Sequence, residues 1–229
     1  MNTLRDREAY TLYKKINADV SVFCDDNKTS HWGDRNTITD VYIPNGSHYK
    51  IKLRNYHKNH KLHVVAYIAE KKIGSFVLNE NQTGAIDHST TSQNKFRAIS
   101  VDDKRGGNIK NKDSPIHGRI RVQLQLENIK KEQKMLKAFY NPDEIEEEEE
   151  EEKLWVCDQT DGGPPQRGLQ VQTDSSSRQA ATIKSKELSD IEYRWVNKID
   201  VHDFTEQFHF QLHINEDNDV DGLPLEVEM

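Results

Sequence analysis

Three segments of this chain alternate apolar and polar residues with a period of two, and that spacing restricts the fold more than any other feature. In Tyr49-Lys-Ile-Lys-Leu-Arg, residues Tyr49, Ile51 and Leu53 share one face, while Lys50, Lys52 and Arg54 share the other. Arg119-Ile-Arg-Val-Gln-Leu-Gln-Leu repeats the pattern with Ile120, Val122, Leu124 and Leu126, and so does the late segment through Phe208, Phe210, Leu212 and Ile214. Successive side chains of a strand point to opposite faces, so each segment predicts a strand with one buried and one wet side. A helix would have placed these apolar residues all round its surface.

Further strands are expected at Asp40–Ile43, Leu62–Ile68, Ile73–Leu78, Gln82–His88 and Lys95–Val101. Turn signals separate them: Pro44-Asn45-Gly46-Ser47, Lys71-Lys72 and Asn79-Glu80-Asn81. Short strands without intervening helices predict an all-β sandwich or barrel. The strand ending at Ile214 needs a partner, so it must pair back across the preceding polar stretch. The expected organisation is therefore an N-terminal arm over residues 1–40 and a discontinuous β-domain over 41–214. An insertion over 127–153 interrupts that domain, and an acidic tail follows over 215–229. Within the arm, Tyr13, Phe23 and Trp32 are expected as docking anchors, and His31-Trp32-Gly33-Asp34 as a turn. The insertion combines a short helix around Ile129, Met135, Leu136 and Phe139 with a run of seven glutamates, Glu146–Glu152. Beyond it, Asp161-Gly-Gly-Pro-Pro breaks regular structure, and residues 169–186 are polar and rich in Ser and Gln.

Only 34% of the 229 residues are hydrophobic, and mean hydropathy is −0.93, so part of the chain forms a core and part does not. The formal charge of −7 reflects 39 acidic against 32 basic residues, and it equals the contribution of the glutamate run alone. The acidity is local. Like charges in that run repel one another and favour a solvated loop, although a basic partner would also be attracted to it. The basic stretches at Tyr49–Lys61 and Asn108–Lys112 are interrupted or short, so specific nucleic-acid binding is not expected. The start of the chain lacks the apolar stretch of a secretory signal, and no segment reaches the ~18–20 apolar residues of a membrane-spanning helix. Cys24 and Cys157 are expected as reduced thiols, and the sequons at Asn27, Asn45 and Asn81 as chance matches.

Ten histidines raise the question of a metal. His57, His60 and His63 recur every third residue, but tetrahedral zinc needs convergent ligands, normally four, and this segment reads as a polar turn. His209 and His213 fall on one outward strand face with Gln211; they are expected as exposed surface histidines, with a pH-sensitive subunit contact as the alternative. Nucleophile elbows, Walker loops, dinucleotide fingerprints and zinc-protease motifs are all missing from the sequence. The acidic clusters at Asp25-Asp26, Asp102-Asp103 and Glu216–Asp219 lack calcium-loop spacing. No residue is assigned a catalytic, cofactor-binding or metal-binding role, and the protein is not expected to be an enzyme.

The order of segments resembles one family. Asn45-Gly-Ser-His-Tyr-Lys-Ile-Lys-Leu-Arg-Asn is followed by Val64-Val-Ala-Tyr-Ile, Ile73-Gly-Ser-Phe-Val-Leu-Asn, Phe96 and His117-Gly-Arg-Ile-Arg-Val. Gly168-Leu-Gln-Val, Ser175-Ser-Ser-Arg-Gln and the segment from Phe204 to Ile214 supply a second half. This sequence of strands and glycines is similar to the single jelly-roll penton-like and minor capsid proteins of large icosahedral DNA viruses of algae and amoebae. The resemblance implies a single jelly-roll sandwich and a structural role at capsid fivefold vertices. It also implies assembly as a pentamer in the host cytoplasm, with major and minor capsid proteins as partners in the virion. Two other readings share the β architecture: a pentameric acidic histone-chaperone-like barrel, which the glutamate run favours, and a carbohydrate-binding sandwich.

Overall fold

A computed structural model of the chain describes residues 16–35, 37–107, 109–129, 154–157 and 177–215. Alternation becomes strand wherever it was expected, and the described residues form two sheets. The strands are β1 (Ala18–Cys24), β2 (Thr29–Trp32), β3 (Ile38–Pro44), β4 (Tyr49–Asn55), β5 (Leu62–Ile68), β6 (Lys71–Leu78) and β7 (Thr83–Ile86). They continue with β8 (Asn94–Ser100), β9 (Arg119–Glu127), β10 (Leu154–Cys157), β11 (Ser177–Leu188), β12 (Tyr193–Val196) and β13 (Val201–Asn215). A four-stranded antiparallel sheet has the order β2-β1-β4-β7. The larger sheet runs β12-β10-β6-β5-β9-β13-β11-β8, with β3 on the other edge of β13. Its pairings are antiparallel except β10–β6 and β13–β3.

The inward faces of both sheets contribute to a single apolar cluster. The small sheet supplies Val20, Val22, Tyr49, Ile51, Leu53 and Ile86, and the large sheet supplies Val64, Phe76, Val122, Leu124, Phe208, Phe210 and Leu212. The fold is thus a β-sandwich, held mainly by removing these side chains from water. Tyr49 is fully buried, and its hydroxyl pairs with the Thr182 hydroxyl at 2.7 Å. Burial pushes its phenol pKa well above the ordinary value, and its ring stacks on Phe96.

β13 organises the large sheet because two strands share one of its edges. β9 occupies that edge as far as Gln211 and β11 takes over at His213. Gly118 fills the junction, where its carbonyl accepts the Leu212 N–H at 2.9 Å. Its φ is +74°, and a Cβ there would lie 2.8 Å from the carbonyl oxygens of both Ala180 and Leu212. Glycine is the residue that satisfies both constraints.

The N-terminal reading needs correction. The chain from Ile16 is part of the sandwich, with Ile16, Ala18, Val20, Val22 and Cys24 all buried. β1 is an interior strand of the small sheet, paired on both sides. Phe23 and Trp32 therefore belong to strands rather than to a free arm, and Trp32 closes β2 instead of sitting in a turn. The β5–β6 turn falls at Ala69-Glu70, both at positive φ, so Lys71-Lys72 opens the next strand. The polar, Ser- and Gln-rich stretch contains a long strand over residues 177–188. The expected helix beyond Ile129, the glutamate run, Tyr13, Gly168–Val171, and residues 216–229 of the acidic tail lie outside the described residues.

Candidate functional site

β13, β9, β5 and β3 turn their polar alternates to the outside of the large sheet, where they form one continuous face. Register fixes its rows. His63 lies opposite Gln125, Val65 opposite Gln123, and Tyr67 opposite Arg121. Gln123 and Arg121 in turn face Gln207 and His209, and His209, Gln211 and His213 face Ile38, Asp40 and Tyr42. Of the polar residues expected to point outward, Gln123, His209, Gln211 and His213 are brought together here. Lys50 and Lys52 lie on the small sheet instead.

Side chains in this face hold one another. Tyr67 donates its hydroxyl to Gln123 Oε1 at 3.3 Å, and the Arg121 guanidinium lies 3.9 Å over the Tyr67 ring. Glu70 bridges Arg119 and Arg121 at 3.8 and 3.3 Å. Burial, aided by Arg121 and Arg119, holds the His209 pKa below its ordinary value. His213 Nε2 pairs with Asp40 Oδ1 at 2.8 Å, and its ring stacks on Tyr42. The face ends at β3, where Ile38 is 51% and Tyr42 45% exposed. Among the described residues, β13 is the only strand paired with β3. Its other edge offers backbone groups beside two exposed apolar side chains, a template for another chain.

The three spaced histidines occupy different environments. His57 Nε2 accepts the Asn17 N–H at 2.9 Å, and burial lowers the His57 pKa, with His60 adding repulsion. The His57 and His60 rings lie edge to face 6.0 Å apart. His63 instead sits on β5 and meets Gln125 through Nδ1. Among the described residues, no three His, Cys, Asp or Glu side chains gather as metal ligands, and no helix is long and apolar enough to cross a membrane. Cys24 is a buried thiol whose pKa burial raises.

Two polar clusters escaped the sequence reading because their members are about a hundred residues apart. His48 Nε2 pairs with Ser185 Oγ at 2.8 Å, and Glu187 lies 3.9 Å from His48 Nδ1. This is the order of a nucleophile, base and orienting acid, but the acid is beyond hydrogen-bond range. The Ser185 oxygen also accepts the Glu187 N–H, inside an irregularity in the β11–β8 ladder. That geometry locks a bulge. In the second cluster, Ser189 donates to the buried Asp87 carboxylate, His88 Nδ1 lies 2.7 Å from Asp87 Oδ1, and His88 stacks on Tyr193. Tyr193 donates to the His88 carbonyl, so this cluster ties β12 to the segment after β7.

Comparison with known proteins finds no matching family model, no matching curated protein and no matching solved structure.

Proposed function

We propose that the chain is a structural, non-catalytic subunit that assembles through the open edge and outward face of its large sheet. Its place is penton-like, at the fivefold vertices of a large icosahedral DNA virus, as a homo-pentamer against major and minor capsid proteins. The observation that carries this reading is the exposed pair Ile38 and Tyr42 on the open edge of β3, beside a wet face of Gln, His and Arg. Apolar residues bordered by polar ones are the composition of a protein–protein contact. The edge and face differ from the rest of the surface, so a ring would form by a heterologous contact.

The jelly-roll reading has support from strand order. β4 and β7 pair in the small sheet, while the hairpin β5–β6 between them in sequence lies in the large one. Jelly rolls link their two sheets by Greek-key connections of this kind. The Ser, His and Asp clusters are engaged in holding backbone, which favours a scaffold over catalysis.

Quantitative mass spectrometry of purified particles tests the proposal. The chain is expected at a fixed ratio well below that of the major capsid protein. Absence from particles would overturn the reading. Histone binding that depends on Glu146–Glu152, without particle association, would support the chaperone alternative.

A further inference from the structure

One end of the sandwich gathers more cations than carboxylates. β13 finishes there, with Asn215 opposite both Pro44 of β3 and Ser177 of β11. The turn after Pro44 and the loop from Asp102 to Gly118 close the same end. Asn45 Nδ2 donates to Asp103 Oδ2 at 3.2 Å, and Gln179 of β11 donates to the His117 carbonyl at 3.4 Å. Arg97, Lys104, Arg105, Lys110, Lys112 and Arg178 stand against Asp102, Asp103 and Asp113. Two of those carboxylates are engaged, Asp102 with Lys112 at 2.8 Å and Asp103 with Arg105 at 2.6 Å. Lys104 and Lys110 are exposed and have no carboxylate partner among the described residues. Arg97 donates to the Gly46 carbonyl and likewise has no carboxylate partner among them. A Cβ on Gly46 would lie 3.0 Å from Arg105 Nη1 and 3.3 Å from Arg97 Nη2, so two guanidinium groups converge on this turn.

We infer that the acidic segment following β13, Glu216–Asp221, docks in cis on these cations. Glu216, Asp217, Asp219 and Asp221 begin one residue past Asn215, where β13 delivers the chain to this end. An extended chain advances about 3.3–3.6 Å per residue, so Asp217 and Asp219 reach about 7 and 14 Å beyond Asn215. Neighbouring strands lie only about 4.8 Å apart, which brings the turn at Gly46 and the loop at Lys104 within that radius. A tether this short holds the carboxylates at an effective concentration on the order of millimolar, so weak exposed charge pairs suffice. The glutamate run Glu146–Glu152 is placed less well. Its insertion leaves β9 at Glu127, opposite Val201 at the far end of β13, and returns at Leu154 of β10, which β6, β5 and β9 separate from β13. The docked segment competes with any other polyanion for Arg97, Lys104 and Lys110, and so screens this end from anionic partners. The inference is independent of the β3 edge and stands whether or not the chain forms rings.

Carbodiimide cross-linking of the full chain, read by peptide mass spectrometry, is the test, because it joins lysine amines to carboxylates already in contact. Cross-links from Lys104 and Lys110 to Glu216–Asp221 are expected, falling severalfold as salt rises. An equal mixture of isotopically heavy and light chains is expected to give them within one chain and not between two. Lys104→Glu is expected to lower the Lys110 cross-links about twofold to fivefold, the worth of one exposed charge pair. Lys186→Glu, an equal charge change at the other end of β11, is expected to leave them unchanged. Thermal melts matching the parent chain would confirm that both variants are folded. No cross-link to Glu216–Asp221, cross-links to Glu146–Glu152 in their place, heavy–light products, or equal loss in Lys186→Glu would overturn the inference.

Discussion

Replacing Glu206 by alanine removes one side chain that holds the start of β1 and the β2–β3 connection onto β13. One carboxylate oxygen accepts the Ile16 N–H at 3.0 Å, and the other takes the Arg35 Nε–H at 2.7 Å. Arg35 then donates through Nη2 to the carbonyls of Ile16 and Ala18, both at 2.8 Å, while its guanidinium lies over Phe208. Glu206 is 8% exposed and the Arg35 side chain 27%, so the acid is desolvated and the base only in part. Breaking a fully buried pair costs about 3–5 kcal/mol, and the partial hydration of Arg35 lowers the expected loss to about 2–4 kcal/mol. For a chain of this size that corresponds to a fall in Tm of about 4–16 °C. Glu206→Gln keeps an acceptor for Ile16 and is expected to lose about half as much. Urea denaturation of parent and variants, at unchanged m-value, reads these losses directly. Losses below about 0.5 kcal/mol in both variants would refute the docking of residues 16–35 and restore a free arm.

Gly118→Ala is expected to cost about 3 kcal/mol or more, because positive φ and two backbone oxygens both oppose a Cβ, and a urea midpoint near that of the parent would contradict the shared β13 edge. Acid is expected to destabilise the fold. Burial lowers the pKa of His31, chiefly by desolvation, and those of His57 and His209 as well. The unfolded chain therefore binds more protons, and stability falls as pH drops below the unfolded histidine value of about 6.5. His31→Gln is expected to reduce the drop in urea midpoint between pH 7.5 and 5.5, and an unchanged drop would count against this source.

Legibility followed the carrier of the signal. β4, β9 and β13 were readable because large apolar residues mark every second position. β1 also alternates, through Ala18, Val20, Val22 and Cys24, but its largest residue, Phe23, faces outward and directed the reading towards docking. β11 has no such pattern. Of its residues whose burial is described, Ala180, Ala181 and Ser185 are the buried ones, and its strand character comes from backbone pairing to β8 and β13. The locks at Ser185 and Asp87 depend on contacts spanning 137 and 102 residues, for which local sequence carries no signal.

Native mass spectrometry of the full chain, paired with Ile38→Asp/Tyr42→Asp, tests the assembly claim most directly. Five copies of the 26.6 kDa chain are expected in the parent, and monomers in the double variant with its fold intact. A parent that stays monomeric across the concentration range, or a pentamer indifferent to both substitutions, would contradict assembly through the β3 edge.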